Sequence, residues 1–264
     1  VPKSGQPWDP RFAEKSPLFA PFSGLTAAFA AHAEWPTPAD FTSLVEAERV
    51  RRASTLSPLE FVVSAPRPRR QKRVSVSIDG LYDGSIARRR QVPCVKDSYH
   101  DLWNAIAFAA FPRSKRALHA RQYRALERWA TEGAARLPSR RTREQDALTV
   151  FDEGGSVLVA DAAFFARWRE ASDWTPLSES GDCHVVLFGH ALMELLGYGR
   201  PGIRSCALFL DRDETFAHTA LVEWIDVRVA ARIEDELRFA SPGADGVVRI
   251  DECGRPWVAP PGAA

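Results

Sequence analysis

The sequence predicts an α+β fold: a mostly helical single domain with a small antiparallel β-sheet or hairpins. Three observations carry that prediction. Tyr99–Phe111 and His184–Gly197 are long apolar stretches of helix length. Short runs of β-branched residues, Val74–Ile78 and Val157–Ala160, lie beside turn signals such as Asp79-Gly80 and Gly154-Gly155. The composition, 45% hydrophobic and 26% charged over 264 residues, is that of a chain able to bury a large core.

Residues 1–24 carry five prolines with Trp8, Phe12 and Phe19, which predicts an extended arm over the core with a short helix near Pro10–Lys15. A helix is expected over Leu25–His32, broken by Trp35-Pro36-Thr37-Pro38. Another is expected over Pro38–Arg52, with Asp40 or Thr42 near its start. Phe61–Val63 reads as a strand, Pro66–Arg73 as a basic loop, and Val74–Ile78, alternating with period two, as a half-buried strand. Tyr82–Arg90 fits either a helix or a hairpin. Tyr99–Phe111 is helical, since Leu102, Ile106 and Ala109 recur at helical spacing; Asp97 or Ser98 can cap it. Pro112 suits the first turn of the next helix, Pro112–Glu132, with Lys115, Arg121 and Arg124 on one side and Leu118, Leu126 and Trp129 on the other.

Gly133–Arg143 reads as a basic linker. Leu148–Phe151 and Ser156–Ala160 around Gly154-Gly155 suggest a β-hairpin. Asp161 can cap a helix over Ala162–Ala171. His184–Gly197 is expected to be one long apolar helix with Gly197 as its C-cap. Cys206–Leu210 reads as a strand and Leu221–Leu237 as an amphipathic helix. The tail from 241 to 264 is loop-like.

Composition also narrows the function classes. The longest uncharged apolar run of the buried type, Ala105–Phe111, is far short of the ~20 residues that span a bilayer. No signal peptide is visible, so a cytoplasmic location is expected. Cys94, Cys183, Cys206 and Cys253 are scattered with no Cys-x-x-Cys pair, which argues against a zinc ribbon and for free thiols in a reducing compartment. The halves differ in charge. Residues 1–150 hold 25 Lys/Arg against 15 Asp/Glu, and residues 151–264 hold 10 against 19. Either the basic half meets an anionic partner, or the two halves face and neutralise each other. No dinucleotide-binding glycine motif, phosphate loop, nucleophile elbow or His-Glu-x-x-His is present.

The candidate site comes from polar residues set in apolar helices. His100 and Asn104 are four apart, as are His190 and Glu194, so each pair shares a helix face. His190 and Glu194 at that spacing can share a metal, and His100 with Asp101 can add ligands or an oriented acid–base group. The same residues also fit buried histidines hydrogen-bonded to local acids or amides. Arg143, Asp146, Asp152 and Glu153 form a second series that can hold a cation or supply a base; Asp152-Glu153-Gly154-Gly155 equally suits a turn. Lys115, just past Pro112, can meet a phosphate at a helix start or lie on a solvated basic face.

Four blocks taken together resemble the bacterial DUF3025 family. They are Tyr99-His100-Asp101-Leu102-Trp103-Asn104-Ala105, then Phe111-Pro112-Arg113-Ser114-Lys115-Arg116-Ala117-Leu118, then Asp146-Ala147-Leu148-Thr149-Val150-Phe151-Asp152-Glu153-Gly154-Gly155, then Gly189-His190-Ala191-Leu192-Met193-Glu194. The similarity covers about residues 80–240, which implies a globular domain over 25–240 between the arm and the tail. Gly254-Arg255-Pro256-Trp257 departs from the family's expected ending. The family has no assigned activity, so the resemblance implies only which positions its motif marks: His100, Asp101, Asn104, Lys115, Asp146, Asp152, Glu153, His190 and Glu194. Their polar chemistry leads to the expectation of a metal-assisted hydrolase. His100, Asp101, Asn104, Lys115, Arg143 and Asp146 are its expected catalytic group. His190, Glu194, Asp152 and Glu153 are its expected ligands for a divalent metal ion. The expected substrate is a small or phosphate-bearing molecule, and no membrane is involved. Two alternatives stand beside this. One is a nucleic-acid or ribonucleoprotein binding module using the basic loops at 67–73, 88–90 and 136–143. The other is a structural or partner-binding protein whose polar motifs are buried networks.

Overall fold

The structure is a computed structural model that describes residues 6–64, 77–129, 141–170, 180–200, 202–212, 218–235, 246–250 and 256–259. From residue 6 on, the described chain forms short helical turns, the first within the Pro10–Lys15 stretch where the sequence predicts one. Phe12–Lys15 and Pro17–Phe22 are 3₁₀ turns, followed by α1 (Ser23–Thr26) and a further 3₁₀ turn at Ala27–Phe29. Phe12, Phe19, Phe22 and Phe29 are buried, so this stretch is a wall of the core. Helix α2 (Pro38–Arg51) opens with a capping box. The Thr37 side chain accepts from the Asp40 N–H, and the Asp40 carboxylate accepts from the Thr37 N–H at 2.7 Å. Strand β1 (Glu60–Val63) pairs with β2 (Gln91–Cys94) in parallel. Tyr82–Arg90, open in the sequence, forms α3 (Tyr82–Gly84) and a π-helical turn at Ser85–Arg89 that Arg90 ends in the left-handed region.

Helix α4 (Tyr99–Ala110) is the centre of the molecule: every residue from Asp101 to Ala110 is buried. Of the two caps the sequence offers, Ser98 is used, its hydroxyl accepting the Asp101 N–H at 3.2 Å. Helix α5 (Pro112–Trp129) follows after one residue, and its Lys115 and Arg121 are buried, not part of a solvated basic face. Arg121 donates to Glu144 at 2.7 Å and to the Ile233 carbonyl at 2.6 Å.

The expected hairpin at 148–160 is instead helix α6 (Arg143–Gly154) leading into strand β3 (Gly155–Ala160). Thr142 and Gln145 form a second capping box that commits the chain to helix, and Ala147, Leu148 and Phe151 then fall on one buried face. Helix α7 (Ala162–Glu170) is capped by Asp161, as the sequence suggests. The expected long helix at 184–197 is split. His184–Leu187 is strand β4, and only His190–Gly197 is helix, α8. Gly197 is the last helical residue, not the cap. Gly199, at φ +66°, takes the left-handed position, with its N–H on Leu196 and the Arg200 N–H on Leu195.

Strand β5 (Ile203–Asp211) and helix α9 (His218–Glu234) follow, then β6 (Gly246–Ile250) and β7 (Pro256–Ala259). The stretch after Ser241, read as loop, thus adds two strands. The sheet order is β4-β3-β5-β6-β7, with β3 and β5 parallel and the other pairs antiparallel. The α+β class holds, but the sheets are one mixed and one parallel rather than antiparallel. The parallel pair follows from the α7–β4–α8 crossover between β3 and β5. The Pro66–Arg73 loop, most of the Val74–Ile78 strand, residues 130–140 and Cys253 lie outside the described residues. Among the described residues, no helix is long and apolar enough to cross a membrane. Cys94, Cys183 and Cys206 are free thiols.

Candidate functional site

Three chain segments converge on one point: the first turn of α4, the last turn of α6 and the start of α8. Two glycines allow the last two to meet. The Gly155 carbonyl accepts the N–H groups of both Phe188, at 2.9 Å, and Gly189, at 2.8 Å. A Cβ on Gly189 would sit 2.4 Å from the Glu153 carbonyl oxygen and 2.5 Å from the Gly155 nitrogen, so only glycine fits. This contact sets His190, the first residue of α8, beside Asp152 and Glu153.

His190 is fixed through its backbone neighbour. Its Nδ1 lies 2.9 Å from the Asp152 carbonyl, which can only accept, so Nδ1 carries the hydrogen and Nε2 the lone pair. His100 enters from α4 with its Nδ1 3.1 Å from the Glu194 carboxylate. The two Nε2 atoms face each other at 3.1 Å, and the Glu153 carboxylate lies 3.7 Å from the His190 Nε2. Ligand atoms of His100, Glu153 and His190 all fall within 4.8 Å of one another. His190 is buried, whereas the side chains of His100 and Glu153 are 37% and 44% exposed, so the cluster opens to solvent on one side.

The electrostatics follow from these positions. Burial and the Lys115 charge hold the His190 pKa well below its ordinary value, so this imidazole is neutral at pH 7. At His100 burial opposes the charged form, but the Glu194 hydrogen bond and the carboxylates of Glu153 and Glu194 outweigh it and raise the pKa. Burial raises the Glu153 pKa, since a desolvated carboxylate is disfavoured. Glu194 itself is tied on both sides, by His100 and by the Tyr198 hydroxyl at 3.2 Å.

Behind His190 lies a second polar layer. The buried Lys115 ammonium pairs with the Asp152 carboxylate and lies 4.8 Å from the centre of the Phe108 ring. Burial works against charge on Asp152, and Lys115 outweighs it, holding the carboxyl well below the usual range. His119 stands four residues after Lys115 on the same face of α5. Its Nδ1 is 2.9 Å from Asp83, and its Nε2, 4.0 Å from the Asp152 carboxylate, has no hydrogen-bond partner among the described residues. The Asn104 amide donates to the Tyr82 hydroxyl at 2.9 Å.

The structure brings together His100, His190, Glu194, Asp152, Glu153 and Lys115, with contacts that differ from the pairings the sequence suggests. The Glu194 carboxylate lies against the His100 Nδ1 rather than against its helix partner's Nε2. The Asp152 carboxylate turns to Lys115, and its carbonyl holds His190. Asp101 does not orient His100, because its carboxylate accepts the Val95 N–H at 3.0 Å. Asn104 faces Tyr82. Arg143 and Asp146 are exposed near the start of α6 and make none of the cluster's contacts. His119, Asp83 and Tyr82 are absent from the sequence-based candidate set. The i,i+4 spacing of Lys115 and His119 is the signal that could have found the first. Of the basic loops, Arg88–Arg90, Arg141 and Arg143 are exposed, and 67–73 and 136–140 lie outside the described residues.

The fold and the cluster define an α+β protein with two histidines and one carboxylate converging at a junction of three helices. A family model described as "Protein of unknown function (DUF3025)" matches residues 70–244, so the chain belongs to the DUF3025 family. A search of curated proteins and one of solved structures returned no match.

Proposed function

We propose that this protein is a divalent-metal-dependent hydrolase whose metal ligands are His100, His190 and Glu153. One observation carries the reading. Two imidazoles, each with its Nδ1 against a fixed acceptor, set their Nε2 atoms 3.1 Å apart, and with His100 deprotonated the two Nε2 lone pairs face each other. Two lone pairs so placed repel unless a cation lies between them. Two imidazoles bound to one cation at ~2.0–2.1 Å, with angles of about 90–109°, have nitrogens about 2.8–3.4 Å apart. The Glu194 and Asp152 contacts are those that metal-binding histidines use to fix tautomer and ring direction. The solvent-facing side of the cluster supports a catalytic over a closed structural site.

A divalent cation supplies Lewis acidity and a more acidic bound water. The chain's own groups do the rest. Glu194 keeps the His100 ring in line, and the Asp152 carbonyl, anchored through Lys115, does the same for His190. Glu153 brings negative charge from the exposed side. The same His–His contact also fits a shared proton, with His100 as the cation, and the test separates the two. Isothermal titration with Zn²⁺ and Co²⁺ at neutral pH should show one site per chain, with a visible Co²⁺ absorption band. His190→Ala should abolish the site, and ester or phosphodiester hydrolysis should be lost with it. Absence of stoichiometric binding by either ion would exclude the metal reading. Binding without hydrolysis of any tested ester or phosphodiester would exclude the hydrolase.

A further inference from the structure

A cavity of about 230 Å³ lies on the far side of Glu194, between the N-terminal turns, the start of α4 and the end of α8. Its walls include Phe12, Tyr99, Trp103 and Tyr198, with Asp9 and Lys15 beside them. The rings interlock: Phe12 and Trp103 meet at 5.1 Å, and Tyr99 and Tyr198 stand perpendicular at 6.0 Å.

The polar wall groups are nearly all occupied. Asp9 pairs with Lys15 at 3.1 Å. The Tyr99 hydroxyl accepts the Asp9 N–H at 2.8 Å and faces the Pro7 carbonyl. Glu194 is held by His100 and Tyr198. The exceptions are the amide of the exposed Gln6 and, deeper in the wall, the indole N–H of Trp103. Trp103 is 1% exposed as a residue and lines the cavity; its Nε1 makes no hydrogen bond among the described residues and is not one of the fully enclosed unpaired atoms.

Gly197 points to the same spot. It is the last residue of α8, with no left-handed backbone to demand glycine, and Gly199 already serves as the αL residue. Alanine would stabilise an ordinary helical position over glycine. A Cβ there would meet one group alone, the Trp103 Nε1 at 3.5 Å. The missing side chain therefore keeps the space over this donor clear.

We infer that this cavity is a binding site for a small uncharged aromatic compound bearing a carbonyl, such as an aryl amide or ester, whose oxygen accepts the Trp103 N–H. The volume sets the size, since an apolar cavity of about 150 Å³ takes one benzene ring. About 230 Å³ holds a ring with a short substituent. The wall charges set the neutrality: Asp9 and Lys15 compensate each other, and both Glu194 oxygens are engaged. Binding stands on the cavity alone. It goes beyond the hydrolase reading and does not depend on it, since His100, His190 and Glu153 do not line the cavity.

The probe is benzamide, followed by saturation-transfer NMR and calorimetry on the full chain, with and without a chelator. Saturable binding is expected in both conditions, stronger than for benzoate or benzyltrimethylammonium. Gly197→Leu, a substitution that favours helix, should abolish it. Trp103→Phe should weaken it by about tenfold, the loss of one hydrogen bond. No saturable binding to the wild-type chain, unchanged binding to Gly197→Leu, or preference for either charged analogue would overturn the proposal. Because the assay needs no metal, its failure and that of the metal site are read separately.

Discussion

Gly189→Ala tests how the backbone builds the cluster. The added Cβ would lie 2.4 Å from the Glu153 carbonyl oxygen, where ordinary contact begins near 3.4 Å. Relief requires the start of α8 to move by about 1 Å from the end of α6. Both obstructing neighbours are backbone, so no side chain can swing aside. Overpacking of this kind costs ~1–3 kcal/mol. The same shift separates His190 from Glu153 and from the Asp152 carbonyl, and displacing the groups that orient a metal ligand costs ~10–100-fold in affinity. Gly154→Ala is the matched control. Nothing lies within 4 Å of its Cβ, so it should be neutral or gain up to ~1 kcal/mol from the lower entropy of the unfolded chain. Urea denaturation gives the stabilities, and titration with Zn²⁺ gives the affinities. Equal stability of the two variants would refute the close-approach reasoning. A destabilised Gly189→Ala with wild-type affinity would show that this junction does not set the spacing of the cluster.

Two further substitutions probe the supporting groups. Lys115→Met leaves the buried Asp152 carboxylate without its cation and should cost ~3–5 kcal/mol at pH 7 in urea denaturation. Because the folded pKa of Asp152 lies below its unfolded value of ~3.9, the ion pair contributes fully above that value and is lost as pH falls through the folded pKa. The penalty of Lys115→Met should therefore shrink in acid, and a pH-independent penalty would show that packing rather than charge is at stake. Glu194→Gln keeps the shape of the His100 support but removes its charge. In the metal-free protein the His100 pKa, followed by proton NMR, should fall, and metal affinity should drop by about tenfold; an unmoved titration would remove Glu194 from its positioning role.

The local structure that the sequence reveals is the part governed by near neighbours. Helix α4 follows from its apolar spacing and its serine cap, α7 from Asp161, and the order of the four family blocks is visible without coordinates. His100 and His190 stand out because a histidine in an apolar helix needs a partner. The partners do not stand out. Glu194 is four residues from His190 but serves His100, ninety-four residues away, because α4 and α8 cross there. The hairpin expected at 148–160 failed for a local reason, as the Thr142–Gln145 capping box outweighs two glycines. The helix expected at 184–197 failed for a non-local one, since His184–Leu187 finds a strand partner in β3 that an isolated segment lacks.

The sequence by itself determined a helical α+β chain of the DUF3025 type with polar residues lodged in apolar helices, because spacing, caps and composition act over a few residues. Only the tertiary structure decided which polar groups meet. Gly155 and Gly189, read in sequence as a turn and as part of a helix, let two backbones touch. That contact places His190 against Asp152, beside Glu153 and opposite His100. Lone pairs and charges interact across distances of a few ångströms, and only the packed chain brings residues so distant in sequence within that range.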